Sequence, residues 1–298
     1  MNHCHTHDHS SAAQKIGRAF AIAIVANLGF TFLEAFFALY AHSSSLLADA
    51  GHNLGDVLGL VFAWVANYLQ MRRPTDRFSY GYKRTSVLAA FSNAVILIAT
   101  AVMIAVSAID HLLHPHIVAE KVVVIVAIIG IFLNMGTALL FRHGQRDMNV
   151  KGAFLHLMFD ALVSLGVVIV AVAMYFTQWY WLDPMVSLLI VATIIFGTWS
   201  LFKRSMHLML DGVPHELDIK RISGYLKAWP DVTEVHDLHV WGLSTTEIAL
   251  TAHLIVPSRY FDDNELFLLA QSLQKEFEIG HVTIQVERGT MCTTTCSI

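Results

Sequence analysis

The sequence predicts an α-helical membrane protein: six transmembrane helices followed by a cytoplasmic α+β domain at the C-terminus. Three observations predict it. The 298 residues are 55% hydrophobic and only 14% charged, with a positive mean hydropathy, outside the usual range of soluble globular chains. Up to about residue 210 the chain breaks into six apolar runs, each near the ~20 residues that a helix needs to cross a bilayer. The remainder has the mixed charges and short β-rich runs of an ordinary soluble domain. The expected division is a His-rich cytoplasmic tail at 1–15, a transmembrane domain at 16–210 and a cytoplasmic domain at 211–298.

Taken in order, the tail MNHCHTHDH places four His, one Cys and one Asp in nine residues, too polar for the start of a signal peptide. Such tracts are metal-binding candidates by composition, and short His-rich ends are also commonly without structure or function. The first span, 16–40, is longer than a signal-peptide core and carries Asn27 and Glu34; Glu34 is expected to face the bundle interior. The second is 44–70, and the others are 84–111, 121–141, 152–176 and 181–202. An even number of crossings returns the chain to its starting side.

Orientation follows from the basic residues. Lys15 and Arg18 flank the first span, Arg72, Arg73, Arg77, Lys83 and Arg84 lie between the second and third, Arg142, Arg146 and Lys151 between the fourth and fifth, and Lys203 and Arg204 after the sixth. The opposite loops offer only Lys121. By the positive-inside rule both termini and the C-terminal domain are cytoplasmic. The membrane expected is the inner, plasma membrane of a bacterium.

The C-terminal domain reads as helix, strand, strand, helix, strand. Pro214 suits a first helical turn and 216–228 follows as a short helix. Residues 232–243 and 247–256 are β-rich runs joined by Ser-Thr-Thr, 262–277 has helical periodicity, and 281–287 gives the last strand. Helices on one face of a small sheet satisfy this order.

The chemistry is concentrated in the second and fifth spans. Asp49, His52 and Asp56 lie inside the second, where an ionisable side chain at bilayer depth costs about 3 kcal/mol, so a helix that keeps three of them must use them. His52 and Asp56 are four apart, about 40° around the helix, on one face. The spacing recurs at His156 and Asp160 in the fifth span. Two imidazoles and two carboxylates suit tetrahedral Zn²⁺, and two carboxylates neutralise a divalent charge that an apolar cavity would not tolerate. One such pair would be explained by a hydrogen bond within its own helix; the repetition points to a shared ion.

These residues, the tail motif VHDLHVW at 235–241 and HVTIQVE at 281–287 give the chain a resemblance along nearly its whole length. It resembles the cation diffusion facilitator family, in particular the zinc, cobalt and cadmium efflux branch, and is similar to mammalian zinc transporters. The resemblance implies a homodimer whose cytoplasmic domains have a metallochaperone-like αββαβ fold. It also implies metal export driven by inward proton flow, with His52, Asp56, His156 and Asp160 as the transport site. His52 in the second span looks like the zinc-preferring variant; manganese and iron relatives typically carry Asp there. Zn²⁺ is the expected ion, with Cd²⁺ or Co²⁺ possible, and protons are the coupling ion. The expected partners are divalent metal ions, the lipid bilayer and a second copy of the chain, with no nucleic acid.

Further sites follow from motif position. Relatives can bind regulatory metal in the cytoplasmic domain, and His236, His253, Gln285 and Glu287 match those ligands. Gln285 departs from the histidine of some relatives. Alternation along the strand puts His236, Leu238 and Val240 on one face and Asp237, His239 and Trp241 on the other. His3, Cys4 and His5 resemble an N-terminal His-Cys-His of some zinc transporters that can join tail cysteines, here Cys292 and Cys296. Where some relatives hold a metal in the loop after the second span, this chain has Phe78 and Tyr82, and no such site is expected.

Other classes fit less well. No H-E-x-x-H motif occurs, so a membrane metalloprotease is excluded and no enzyme is expected. A membrane-bound metal sensor would not need costly ligands in two spans. A proton-conducting channel could use His and Asp pairs without metal, and flux measurements separate it from a carrier.

Overall fold

The structure is a computed structural model that describes residues 9–114, 117–140, 148–257 and 262–289, with the side chains of all these except 9–21, 23, 148–153 and 156. Six long helices come first: α1 (His9–Ala41), α2 (Ser44–Gln70), α3 (Thr85–Leu113), α4 (Glu120–Leu140), α5 (Met148–Thr177) and α6 (Leu182–Met209). The small domain follows as α7 (Ile219–Lys227), β1 (Glu234–Gly242), β2 (Ile248–Ile255), α8 (Asp263–Phe277) and β3 (Ile279–Glu287). The chain forms two compact units, Met1–Val61 with Asn93–Trp199, and Phe62–Ser92 with Ser200–Ile298.

The long helices bury polar groups and expose apolar ones. Phe132 is 71% and Phe196 82% exposed, whereas Glu34 and Asp49 are fully buried and Asp160 nearly so. Water would favour the reverse; a hydrocarbon surround favours this arrangement. Segments of α1, α3, α4, α5 and α6 are long and apolar enough to cross a membrane. Helix α2, with 27 residues, has the length, but Asp49, His52, Asn53 and Asp56 keep it out of that apolar class. The protein is a multi-pass membrane protein.

In the first unit Ala48 of α2, Ala101 and Ile104 of α3, Val123 and Ala127 of α4, Val167 and Met174 of α5 and Ile190 and Ile194 of α6 form one buried cluster. Small residues let α2 approach α3. A Cβ on Gly55 would fall 1.9 Å from Leu97 Cδ2, and one on Gly51 would fall 2.6 Å from Ile104 Cδ1.

In the second unit the strand order is β1-β2-β3, with β1 antiparallel and β3 parallel to the central β2. Ile222 and Leu226 of α7, Leu269, Leu273 and Phe277 of α8, and Val240, Leu250 and Leu254 of the strands close its core. Helix α7 starts at Ile219, later than the sequence suggests. Pro214 instead opens a turn closed by the Leu217 N–H at 2.9 Å, and Asp218 caps the helix by accepting from the Lys220 N–H at 2.9 Å. Asp262 caps α8 in the same way, accepting from the Glu265 N–H at 2.9 Å. The α2–α3 loop is tied into this unit: Lys83 pairs with Glu247, Arg84 pairs with Asp211, and the Thr245 N–H donates to Ser86 Oγ at 3.1 Å.

Candidate functional site

Helix periodicity puts His52 and Asp56 on one face of α2, and the fold turns that face toward α5. His52 Nε2 lies 3.7 Å from Asp56 Oδ2 and 3.6 Å from Asp160 Oδ1. One donor atom from each of the three residues lies within 4.8 Å of the others. A cation between them would meet an imidazole nitrogen and two carboxylate oxygens, a set that takes borderline divalent metals. His52 and Asp56 remain partly exposed while Asp160 is buried. His156 is in α5 one helical turn before Asp160; its side chain lies outside the described residues.

The group rests on buried polar supports that are not legible in the sequence. Asn53 Nδ2 donates to Glu34 Oε2 of α1 at 3.0 Å. Ser164, one turn after Asp160 on α5, donates to Asp49 Oδ2 at 2.9 Å. The N-terminal end of α2 is held by Asp183 of α6, which accepts from Ser43, Ser44 and Ser45. Asn53 and Ser164 are unremarkable letters in apolar runs, and Ser43 is 140 positions from Asp183.

A second cluster lies in the small domain. His236 of β1 and His253 of β2 are register partners with ring centroids 5.2 Å apart, as the hairpin reading anticipates. Glu287 of β3 stands beside both, its oxygens 3.4 Å from His236 Nε2 and 3.0 Å from His253 Nδ1. Those two nitrogens make no hydrogen bond of good geometry among the described residues. Gln285, opposite His253 in the β2–β3 ladder, donates from Nε2 to Glu287 Oε1 at 3.0 Å.

Here the sequence expectation needs one correction. A bulge breaks the alternation of β1 between His236 and His239, and Asp237 takes φ 48°. The extra residue brings Asp237 Oδ2 to 3.5 Å from His253 Nε2, rather than to the opposite face. The hydrogen bond from His239, at 2.9 Å, and the charge of His253 hold the Asp237 carboxyl below its ordinary range. His3, Cys4, His5, Cys292 and Cys296 lie outside the described residues. In the α2–α3 loop the Phe78 and Tyr82 rings pack at a tilt of 37°, 4.9 Å between centroids.

Residues 20–210 match the cation efflux transmembrane domain, and residues 214–289 match the cytoplasmic domain of cation efflux proteins. The chain belongs to the cation efflux family. Within that family it is 33% identical, over 95% of its own length and 89% of the relative's, to the metal cation efflux system protein CzcD of Cupriavidus metallidurans. It is 30% identical to a cadmium, cobalt and zinc/H(+)-K(+) antiporter of Bacillus subtilis, over 94% of this chain and 91% of the relative. It is 33% identical to the zinc transporter ZitB of Pectobacterium atrosepticum, over 96% and 89%. Cation efflux proteins are transporters, not enzymes, and the zinc, cobalt and cadmium branch is the one these relatives represent.

Proposed function

We propose that this chain exports a divalent metal ion from the cytoplasm in exchange for protons by alternating access. Zn²⁺ is the foremost cargo, with Cd²⁺ and Co²⁺ as related ions. The observation that carries the reading is the convergence of His52 and Asp56 of α2 with Asp160 of α5 inside the membrane unit. His156 is the proposed fourth ligand, and its position one turn from Asp160 supports this. The relatives' names, efflux protein and antiporter, support both the direction and the exchange.

The physical logic of exchange lies in the ligands. A metal takes imidazole and carboxylate only in their deprotonated forms, so metal and protons compete for the same atoms. Histidine changes charge near neutral pH, where small differences between the two sides of a membrane matter most. Facing the cytoplasm the site loads metal and gives up protons; facing out it takes protons and gives up metal.

The remaining architecture follows the same reading: a tail at 1–15, a membrane domain at 16–210 and a cytoplasmic domain at 211–298. Both termini sit in the cytoplasm of a bacterial inner membrane, and the cytoplasmic domains pair two copies into a homodimer. The match of 214–289 to the family's dimerising cytoplasmic domain supports the pairing. His236, His253 and Glu287, with Gln285 as a weaker neighbour, form a regulatory metal site; His3, Cys4, His5, Cys292 and Cys296 are proposed to contribute further metal ligands.

Zinc uptake into proteoliposomes carrying an imposed pH gradient tests the reading. Uptake should depend on the gradient and vanish in His52→Ala and Asp160→Ala. Unchanged flux in those variants rejects the site, flux indifferent to the gradient rejects the exchange, and proton current without metal would indicate a channel. Metal binding without any flux would indicate a sensor.

A further inference from the structure

At the C-terminal end of α2 one face suits the boundary between hydrocarbon and water. Trp64 and Tyr68 lie one turn apart on it and Met71 follows just past the helix end, each more than half exposed. On a multi-pass membrane protein an exposed apolar face meets lipid, and Trp and Tyr gather where acyl chains give way to headgroups. Arg72 folds back onto that face. Its Nη2 donates to the Tyr68 hydroxyl at 3.3 Å, and its guanidinium carbon stands 5.3 Å from the centre of the Tyr68 ring.

The fold divides the basic residues of 72–84 into two groups. Lys83 and Arg84 are committed to Glu247 and Asp211. Arg72, Arg73 and Arg77 are exposed and, among the described residues, in no ion pair; Asp76, the loop's one acid, is in none either. The loop that carries them is held in shape. Thr75 and Phe78 exchange backbone hydrogen bonds, both at 3.1 Å, and the Gly81 N–H donates to the Phe78 carbonyl at 2.8 Å. Gly81 takes φ 68°, and a Cβ there would fall 3.3 Å from the Arg72 carbonyl oxygen, so the chain closes tightly on the residue that carries the guanidinium. Three arginines thus stand beside a lipid-facing tyrosine with no carboxylate among the described residues to neutralise them.

A guanidinium has five N–H donors, and Tyr68 uses only one of those on Arg72. The Tyr68 hydroxyl, which accepts that bond, keeps its own hydrogen to donate. Donors of this kind at headgroup depth suit the oxygens of a phosphodiester. A zwitterionic headgroup would also bring an ammonium toward Arg73 and Arg77, whereas an anionic one brings only the charge they lack. We propose that Tyr68 and Arg72, with Arg73 and Arg77 beside them, bind the phosphate of an anionic phospholipid whose acyl chains lie against Trp64 and Met71. The site is separate from the metal ligands and stands whether or not the transport reading holds.

The test titrates the purified full-length protein in detergent with phosphatidylglycerol or phosphatidylcholine and counts bound lipids by native mass spectrometry, which gives the dissociation constant of the first lipid. Phosphatidylglycerol should bind the wild type more tightly than phosphatidylcholine, and Arg72→Gln should weaken it about fivefold. Tyr68→Phe, which changes no charge, should weaken it about twofold. Lys203→Gln removes another exposed charge, from α6, and should leave it unchanged. Equal affinity of the wild type for the two lipids, an undiminished affinity in Tyr68→Phe, or the same loss in Lys203→Gln as in Arg72→Gln overturns the site. Displacement of the lipid by inorganic phosphate overturns it as well, because the ligand would then be a free anion. Should Arg72→Gln fail to fold, the wild type, Tyr68→Phe and Lys203→Gln decide by themselves.

Discussion

Asp183, in the first turn of α6, accepts a hydrogen bond from Ser43 Oγ at 2.6 Å and thereby closes the N-terminus of α2. The same carboxylate takes the Ser44 N–H at 2.6 Å, the Ser45 N–H at 3.3 Å and the Ser45 hydroxyl at 2.5 Å, while Ser43 Oγ caps α2 by accepting from the Leu46 N–H at 3.2 Å. A carboxylate at a helix N-terminus satisfies orphan N–H groups and complements the helix dipole. The helix anchored in this way is the one that carries His52 and Asp56.

Asp183→Ala leaves these buried donors without an acceptor. Each costs about 1–3 kcal/mol when stranded, so a loss of at least ~3 kcal/mol is expected. Thermal unfolding in detergent, followed by size-exclusion recovery, should show a marked fall in stability, with zinc flux falling alongside. Asp183→Asn, which retains one oxygen acceptor, should fall between.

Changing the hardness of the site should change its cargo. His52→Asp replaces an imidazole with a carboxylate, which favours harder cations over zinc. Competitive uptake of Zn²⁺ and Mn²⁺ should show zinc transport lowered by about tenfold or more, with manganese gaining relative to zinc. An unchanged ratio would mean that His52 does not touch the ion.

Close approach of α2 to α3 depends on the missing side chain at Gly55. In Gly55→Ala the new methyl meets Leu97, and overpacking of this kind costs about 1–3 kcal/mol. Stability should drop in the single variant and recover when Leu97→Ala is added, a coupling that a double-mutant cycle measures directly. Additive losses would place the cause elsewhere.

In the small domain the depressed Asp237 carboxyl makes a pH prediction with a definite sign. Its folded value lies below the unfolded one of about 3.9, so its interactions contribute above that range and fade as pH falls through the folded value. Asp237→Asn should therefore reduce the stability of the domain at neutral pH and make little difference in strong acid. Chemical unfolding of the full-length protein at the two pH values checks it. His253→Ala, in contrast, should remove zinc binding at the cytoplasmic cluster, read by titration calorimetry against a background of Asp160→Ala.

The sequence makes the repeated features legible and leaves the singular ones dark. Six apolar runs and two His-x-x-x-Asp pairs each announce themselves, because hydrophobic length and helical spacing are local properties. The bulge at Asp237 does not, since alternation over VHDLHVW reads as a plain strand and only the pairing with β2 forces an extra residue into it. Nor does the start of α7, where Pro214 looks like a helix opener but Asp218 wins by capping. Glu34, Asp49, Asn53 and Ser164 become a network only when α1, α2 and α5 are brought together. Polar residues in apolar runs signal that something must satisfy them, yet they do not say what.

The polarity of α2 also bears on how the protein is made. A segment with Asp49, His52, Asn53 and Asp56 is a poor substrate for insertion by itself, whereas α1 and α3 on either side partition readily. The nascent helix needs company: Glu34 on the preceding segment can shield Asn53 as soon as the two emerge, and Asp183 arrives only after three further helices. Biogenesis thus has an order written into it, with α2 settling against an early neighbour and being locked at its far end last.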